Sequence, residues 1–243
     1  MEKQDVLPME NGAWQGVSRL IHGDCVSVMR EMPERSVDLV VTDPPYKLIG
    51  GGRADTPDAP SGILRNNDKR LFAYNDISAE EWLPEVYRVM KNDTQIYVMT
   101  NYINLVHFIK VMEQTGFRIH NLLVWEKNNC TPSRWYMKNA EYVIFGRKGA
   151  AKPINNIGSK TVHTFNNIIG NKLHPAEKPV ELMRYYIENS SFSGDTVLDP
   201  FMGAGSVGVA CEDANRNFIG IEKDREYFDI AQSRLQKGVI SYG

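Results

Sequence analysis

One short motif combines residue types that could hold a planar amino group. A strand pattern, VDLVVT at 37–42, ends in Asp43-Pro44-Pro45-Tyr46. Two successive prolines remove two backbone donors and fix two φ angles, so they hold the Asp43 carboxylate and the Pro44 carbonyl rigidly as acceptors. With the planar Tyr46 ring beside them, these groups suit an adenine edge stacked on a ring. A rigid polar turn with a core tyrosine is the alternative.

A second motif is a glycine-rich turn. Gly203, Gly205 and Gly208 form GxGxxG directly after the strand pattern 196–199 and at the start of a helical pattern. Glycines permit a tight turn and let a ligand approach the backbone closely. Glu222 ends the next strand, 19 residues after Gly203, where an acid can accept hydrogen bonds from a ribose diol. The pattern predicts a nucleoside-bearing cofactor; an NAD site, or a turn needed only for packing, is the alternative.

Alternating strand and helix patterns must position both motifs. Buried strands are predicted at 18–21, 37–42, 94–99, 118–126, 140–146, 196–199 and 217–221. Helices are predicted after the caps Asp24, Ser78 (with Glu81 in a capping box) and Asn101, from Pro179, and over 206–214 and 224–236. Seven strands separated by helices predict an α/β doubly wound sheet, which binds ligands beyond the carboxyl ends of its strands.

The overall composition favours one ordinary globular domain. The chain has 243 residues, of which 42% are hydrophobic and 24% charged, so a disordered or fibrous chain is excluded. No apolar run reaches the roughly 18 residues of a membrane helix. Residues 1–17 lack the apolar core of a secretory signal and are predicted to be a leader or arm. Three widely spaced cysteines predict no disulfide framework, no metal site and a reducing cytoplasm.

Charge is distributed unevenly along the chain. Residues 127–172 contain eight lysines and arginines and one acid, so this segment is +7 and leaves −9 for the rest of a chain whose total is −2. A basic, asparagine-rich strip in an acidic protein predicts a surface that faces a polyanion, with a solvated loop as the alternative. The stretch 47–75, with three consecutive glycines, is too long for a mere connection and is predicted to be a lid or binding loop.

The motifs together resemble a known family. DPPY at 43–46 and DPFMGAGSVG at 199–208 resemble the amino-methyltransferases that modify DNA with S-adenosylmethionine, as do GD…MPERSVDLVVTDPPY and HPAEKPVELM. The resemblance covers about residues 18–236. Because DPPY precedes the glycine turn, with the basic segment between them, the order resembles the permuted group called the beta class.

That resemblance implies an architecture and a reaction. The fold would be Rossmann-like, with a seven-stranded, mostly parallel sheet. The catalytic domain would comprise 18–126 and 174–243, and the target-recognition segment 127–173, with 47–75 as a lid that contacts DNA. The reaction would transfer a methyl group from S-adenosylmethionine to N6 of a flipped-out adenine in double-stranded DNA, without a metal. A homodimer and a cognate restriction enzyme are possible partners.

The resemblance also implies roles for matching positions. Asp43, Pro44, Pro45 and Tyr46 would hold the target adenine. Glu222 would hold the ribose hydroxyls, and the remaining cofactor contacts would be Asp24, Cys25, Asp43, His174, Lys178, Asp199, Phe201, Gly203, Gly205 and Ser206. Of these, His174 and Lys178 would lie at the methionine carboxylate. The family often has threonine where this chain has Ala176, and two threonines where it has Ser206-Val207, so one hydroxyl contact in each place is missing or replaced.

DNA contacts are predicted mainly in the two irregular segments. The candidates are Arg53, Arg65, Lys69, Arg70, Lys127, Asn129, Arg134, Lys138, Lys148 and Lys152. Arginine can read guanine and asparagine can read adenine, but the basic side chains could equally contact only phosphates. Trp125, Trp135 and Tyr136 are interpreted either as stacking platforms or as core and loop anchors.

Other reactions fit parts of the pattern. N4 methylation of cytosine uses nearly the same chemistry, although Ser-Pro-Pro-Tyr marks it more often in the resembled family. RNA and protein-amide methyltransferases usually carry the glycine turn first, and an NAD-dependent oxidoreductase gives no account of DPPY. Methylation of cytosine C5 needs a nucleophilic cysteine, and no cysteine here follows a proline. An inactive DNA-binding module is the non-enzymatic alternative.

Overall fold

The strands of the protein join in one sheet. The computed structural model describes residues 17–45, 77–131, 135–150, 152–170, 173–174, 176–235 and 239–242. Within them the strands are β1 (Ser18–His22), β2 (Val37–Thr42), β3 (Met90–Thr100), β4 (Arg118–Thr131), β5 (Lys138–Lys148), β6 (Val162–Phe165), β7 (Thr196–Asp199), β8 (Asn217–Glu222) and β9 (Val239–Tyr242). The predicted leader 1–17, apart from Val17, and the predicted lid 47–75 lie outside the described residues.

The helices begin largely where the capping residues predict. They are α1 (Cys25–Glu31), α2 (Ala79–Val89), α3 (Leu105–Thr115), α4 (Val180–Ser190), α5 (Ser206–Asp213) and α6 (Arg225–Arg234). The Glu81 carboxylate accepts from the Ser78 backbone N–H at 2.7 Å and so closes the start of α2. The helix predicted to begin at 102, after Asn101, begins three residues later, at Leu105. The Asn101 side chain accepts from the N–H groups of Ile103 and Asn104, as a capping residue does, in a turn that leads into α3.

The sheet order is β6-β4-β5-β3-β2-β7-β8-β1-β9. Strand β5 runs antiparallel to β3 and β4, and the other neighbouring pairs are parallel. The predicted α/β, mostly parallel sheet is therefore confirmed, and its seven predicted strands form the centre. The prediction missed β6 and β9, which are four-residue strands at the two edges. Strand β6 is exposed or only partly buried, so it lacks the apolar run that reveals an internal strand.

Helices cover both faces of this sheet. Along β2, Leu39 and Val41 belong to one buried cluster and Val40 to the other, because side chains alternate across a strand. The first cluster packs against α4, α5 and α6, and the second against α1, α2 and α3. Within the described part of the chain, no helix is both long and apolar enough to cross a membrane.

Candidate active site

A cavity of about 210 Å³ lies at the carboxyl ends of β1, β2, β7 and β8. Strands β7 and β2 are adjacent, but the chain continues from β7 to β8 on one side and from β2 to β3 on the other. This is the topological switch point at which open α/β sheets bind ligands. The predicted residues that line the cavity are Asp24, Cys25, Asp43, Pro44, Pro45, His174, Lys178, Asp199, Phe201, Gly203, Ser206 and Glu222.

Two predicted site residues are not among the described residues that line the cavity. Tyr46 lies outside the described residues, so its role stays a prediction. Gly205 does not line the cavity. It lies at the start of α5 with φ of 80°, and a Cβ there would lie 3.1 Å from that of Ala231. Gly205 is therefore needed for the turn and for packing against α6, and its contact with a cofactor stays a prediction.

One part of the cavity, which we call the glycine side, is organised by Glu222. One Glu222 carboxylate oxygen accepts from the Gly203 N–H at 2.9 Å, and the other accepts from the Asp224 N–H at 2.8 Å. Its own carbonyl accepts from the Gly23 N–H at 2.9 Å. These bonds tie the ends of β7, β8 and β1 together. Burial raises the pKa of Glu222, although the hydrogen bonds from Asp224 and Gly203 oppose that shift. Each carboxylate oxygen retains capacity for a further donor.

The other glycines of the turn have separate functions. Gly203 has φ of 50°, in the left-handed region, and a Cβ there would lie 3.7 Å from the His174 ring. A Cβ on Gly208 would lie 2.7 Å from the ring of Phe218, which is too close for a side chain. Gly203 therefore keeps the cavity open, whereas Gly208 allows α5 to lie against β8.

The polar residues around the glycine side are already ordered. Asp24 caps α1 by accepting from the Ser27 N–H at 3.0 Å, and it also accepts from the Ser27 hydroxyl. Burial, with the Asp24 charge beside it, raises the pKa of the Cys25 thiol to about 12, so the thiol is protonated. The His174 Nδ1 accepts from the Ala176 N–H at 3.0 Å, which fixes the orientation of the ring. Contacts of Asp24, Cys25 and His174 with a cofactor stay predictions.

Asp199 joins the glycine side to β2. Its carboxylate accepts from the Thr42 hydroxyl at 2.8 Å and from the Phe201 N–H at 3.1 Å. The residue is buried, and burial raises its pKa to about 7, with smaller contributions in the same direction from Asp43 and Glu222. Because Thr42 directly precedes Asp43, this bond sets where the Asp-Pro-Pro turn lies relative to the glycine turn.

The opposite part of the cavity, which we call the proline side, is organised by ion pairs. The Lys178 ammonium lies 2.6 Å from an Asp43 carboxylate oxygen and 3.2 Å from one of Glu141. The Lys127 ammonium lies 3.1 Å from the other Glu141 oxygen. Burial alone would raise the pKa of Glu141, but Lys178 and Lys127 outweigh it and the pKa is lowered. The Glu141 carboxylate is therefore ionised at neutral pH.

Glu141 is a site residue that the sequence prediction missed. Its signal was present, because it is the single acid among the eight basic residues of 127–172. Among the described residues, no group of three or more His, Cys, Asp or Glu side chains could hold a metal ion.

The structure corrects two of the predicted DNA contacts. Lys148 is buried, and its ammonium donates to the carbonyls of Tyr87 at 2.6 Å and Met90 at 2.7 Å. It supports the packing of β5 against the end of α2, so it is not available to a phosphate. Lys127 points inward to Glu141, with only 11% of its side chain exposed. Both were mistaken for surface residues because their partners are distant in sequence.

The other predicted contacts differ in exposure. Lys138 and Lys152 are exposed, and the Asn129 side chain accepts from that of Asn167. Arg53, Arg65, Lys69, Arg70 and Arg134 lie outside the described residues. Of the three aromatic candidates, Trp125 is a buried core residue whose indole N–H donates to the Phe165 carbonyl. Trp135 and Tyr136 are 82% and 94% exposed beside Lys138.

Known proteins are similar to this chain in sequence and in architecture. The DNA methylase family matches residues 37–168 and 154–233, which together include both sides of the cavity. The chain therefore belongs to the N6/N4 DNA methylase family.

Two curated relatives are type II methyltransferases. M.HinfI of Haemophilus influenzae is 29% identical over 247 residues, covering 91% of this chain and 69% of that protein. M2.LlaDCHI of Lactococcus lactis subsp. cremoris is 27% identical over 247 residues, covering 92% of this chain and 91% of that protein.

Solved structures match nearly the whole fold. The M1.HpyAVI–SAM complex is 25% identical with a TM-score of 0.68, covering 90% of this chain and all of that one. The cytosine-N4-specific PvuII DNA methyltransferase is 19% identical with a TM-score of 0.68, covering 91% and 88% respectively. At that identity, the PvuII enzyme supports the fold alone.

Proposed function

We propose that this protein transfers a methyl group from S-adenosylmethionine to the N6 amino group of a flipped-out adenine in double-stranded DNA. One observation carries the proposal: the Asp43-Pro44-Pro45 turn and the glycine turn line the same cavity. A nucleoside-binding turn and a pair of fixed acceptors then face one space, as transfer to an amino group requires. The relative crystallised with SAM supports the choice of cofactor.

The glycine side has the chemistry that such a cofactor needs. A Cβ at Gly203 would narrow the cavity toward His174, so glycine leaves room for a ligand against the backbone. The fixed Glu222 carboxylate can accept from a ribose diol. Phe201 and Ser206 would lie along the cofactor, and Asp24 would receive the amino group of its adenine. When bound, S-adenosylmethionine supplies an electrophilic methyl group on a sulfonium centre.

The proline side would activate the target nitrogen. The lone pair of an adenine N6 is delocalised into the ring, so the free amine is a poor nucleophile. The Asp43 carboxylate and the Pro44 carbonyl would accept its two hydrogens and favour a pyramidal nitrogen whose lone pair can attack. Positioning and electrostatic stabilisation do most of this work. Asp43 is not required as a formal base, because the amine becomes acidic only as the new bond forms.

Adenine is preferred over cytosine because position 43 is aspartate. In the resembled family, Asp-Pro-Pro-Tyr accompanies adenine and Ser-Pro-Pro-Tyr more often accompanies cytosine. The fold does not separate the two, since the cytosine-N4-specific PvuII enzyme has the same architecture. N4 methylation of cytosine is therefore the second candidate.

A DNA-facing surface is proposed at the β4–β5 hairpin. Trp135, Tyr136 and Lys138 are exposed there. Paired with β4, strand β5 reaches past the carboxyl end of β3, and this is the edge of the sheet at which the cavity lies. Exposed aromatic rings can stack on bases, and the ammonium can approach phosphate. A homodimer that widens the footprint stays a prediction. Light scattering would contradict it by showing a monomer both free and on DNA.

Modified-base sequencing tests the reaction directly. DNA from bacterial cells that express the chain is read for modified bases and compared with DNA from cells expressing Asp43→Ala. N6-methyladenine in one sequence context, absent from the control, is the expected result and would also give the recognition site. N4-methylcytosine would reject the adenine assignment. No mark from the wild type, in cells or with purified protein and added cofactor, would reject the proposed activity.

A further inference from the structure

Four charged side chains form a continuous ion-pair chain behind the Asp-Pro-Pro turn. The order is Lys127, Glu141, Lys178, Asp43, with successive nitrogen–oxygen distances of 3.1, 3.2 and 2.6 Å. The exposed fractions of the side chains are 11%, 24%, 10% and 19% in the same order. Charges so poorly hydrated are stable only when each meets an opposite charge, and the alternating order meets that condition.

The members of the ion-pair chain come from four different places in the fold. Asp43 follows β2, Lys127 is in β4, Glu141 is in β5, and Lys178 precedes α4. Lys178 is therefore the link between the turn and the two strands of the β4–β5 hairpin. Nothing local in the sequence requires this arrangement.

The donors of Lys178 argue against a direct contact with the cofactor. An ammonium has three N–H donors. The Lys178 ammonium meets Asp43 at 2.6 Å, Glu141 at 3.2 Å and the Ala176 carbonyl at 3.4 Å. These partners account for all three donors, so a methionine carboxylate would have to displace one of them. The expectation that Lys178 binds that carboxylate has less support than a role toward Asp43.

We propose that Lys178, itself held by Glu141, is a positioning residue that fixes the Asp43 carboxylate for the target amino group. An ion pair to one carboxylate oxygen sets the plane of the carboxylate, and therefore the direction in which the other oxygen accepts. Glu141 would act through Lys178, and Lys127 through Glu141. The inference deepens the proposed function and rests on it, because it assumes that Asp43 meets the target base.

The test separates positioning from cofactor binding. Lys178→Gln, Glu141→Gln and Lys178→Arg are purified, their melting temperatures are measured, and each is assayed with saturating DNA. The matched control is Lys91→Gln, which removes a half-exposed lysine that pairs with Asp38 at 2.7 Å near the amino ends of β2 and β3. For each protein, kcat, the KM for S-adenosylmethionine and the Kd for S-adenosylhomocysteine are measured.

Positioning predicts a loss in kcat with cofactor affinity retained. Lys178→Gln should lower kcat by about 10- to 100-fold, the scale expected when one oriented charge is lost from an active site. The Kd for S-adenosylhomocysteine should stay within about twofold of wild type, which is the variation expected from a mutation that does not touch the cofactor site. Lys178→Arg should restore part of kcat, since it keeps the charge. Glu141→Gln should have a smaller effect of the same kind, and Lys91→Gln should match wild type.

A pH profile gives an independent readout. Removing the Lys178 charge should move the acidic limb of kcat to higher pH, because an unpaired carboxylate protonates more readily. Asp199, Glu222 and His174 also face the cavity, and Glu141 with Lys127 lies behind it. The acidic limb of the dependence of kcat on pH is therefore compared between Lys178→Gln and wild type. Lys178→Arg should return this limb toward its wild-type position.

Three results would overturn the inference. One is a rise in the Kd for S-adenosylhomocysteine that matches the loss of activity, with kcat normal at saturating cofactor, since Lys178 would then be a cofactor ligand. Another is normal kcat and an unshifted pH limb in a folded Lys178→Gln. If that variant does not fold, a Lys178→Arg protein that binds S-adenosylhomocysteine but has no activity would also contradict it. Inactivity of the wild type would instead reject the proposed function, and the inference with it.

Discussion

The glycine side of the cavity is held by backbone N–H groups that donate to one carboxylate, whereas the proline side is held by ion pairs between side chains. The Glu222 carboxylate accepts from the backbone N–H groups of Gly203 and Asp224, which lie just after the ends of β7 and β8. Asp43, in contrast, is fixed by Lys178, which is 135 residues away in the sequence. The hydrogen bonds of Glu222 depend on a local sequence motif. The ion pairs of Asp43 depend on the whole fold, and removing a single charge should disturb them. The two sides should therefore fail separately when each is mutated.

Asp43→Ala should break the proline side alone. We expect methyl transfer to fall by at least about a thousandfold, since the variant loses both an oriented acceptor and the local negative charge. Binding of S-adenosylhomocysteine should persist, because the hydrogen bonds of Glu222 do not involve Asp43. Radiolabelled methyl transfer and calorimetry measure the two quantities. Near-normal turnover would remove Asp43 from the catalytic role.

Glu222→Ala should break the glycine side and leave the proline side in place. The expected loss of cofactor affinity is roughly 1–3 kcal/mol, because charge-assisted hydrogen bonds to a diol would be lost. At saturating cofactor kcat should recover most of its value. Asp229→Ala is the control, since Asp229 is an exposed acid paired with Arg225 on α6. Unchanged cofactor affinity in Glu222→Ala would place the ribose elsewhere.

The same contrast explains what the sequence could predict. Strand patterns, caps and the two motifs gave the central seven strands and most of the residues that line the cavity, because those signals are local. Both Lys178 and Asp43 were predicted as site residues, but the ion pair between them was not. An ion pair between distant segments leaves no pattern in a single sequence. Lys148 was mistaken for a surface residue for a related reason. Its acceptors are backbone carbonyls of α2 and β3, about 60 residues earlier.

Asp199→Asn tests the joint between the two sides. The pKa of Asp199 is about 7 in the folded protein, against an ordinary value of 3.8. Between pH 3.8 and 7, the native state therefore binds more protons at this carboxyl than the unfolded state does. Stability therefore falls as pH rises from about 4 to 7, and the penalty is complete above 7. The contribution is on the order of 4 kcal/mol. The variant keeps an oxygen for Thr42 and Phe201 but cannot ionise, so it should lose this pH dependence.

Chemical denaturation at several pH values between 5 and 8 measures the effect of Asp199. Other carboxyls shift in the opposite direction, as the lowered pKa of Glu141 illustrates, so the informative quantity is the difference between variant and wild type. That difference should grow in favour of Asp199→Asn as pH rises to about 7, and then level off. Parallel stability curves would show that Asp199 ionises normally in the fold.

Two lysines of the basic segment should have opposite effects on DNA binding and stability. Lys148→Met should leave DNA affinity unchanged but lower stability by about 1–3 kcal/mol, because the carbonyls of Tyr87 and Met90 lose a buried donor. Lys138→Ala should do the reverse: Lys138 is exposed beside the aromatic tip of the hairpin. If it contacts one phosphate, the variant lowers DNA affinity a few-fold and reduces the salt dependence of binding by about one counterion.

Fluorescence anisotropy at two salt concentrations, together with melting temperatures, separates the two lysines. Lysines of equal charge, ten residues apart in one strand, would then differ only in what surrounds them. A loss of DNA affinity in a fully stable Lys148→Met would show that burial in the free protein does not keep this side chain from DNA. Unchanged binding by Lys138→Ala at both salt concentrations would move the DNA-facing surface away from the hairpin.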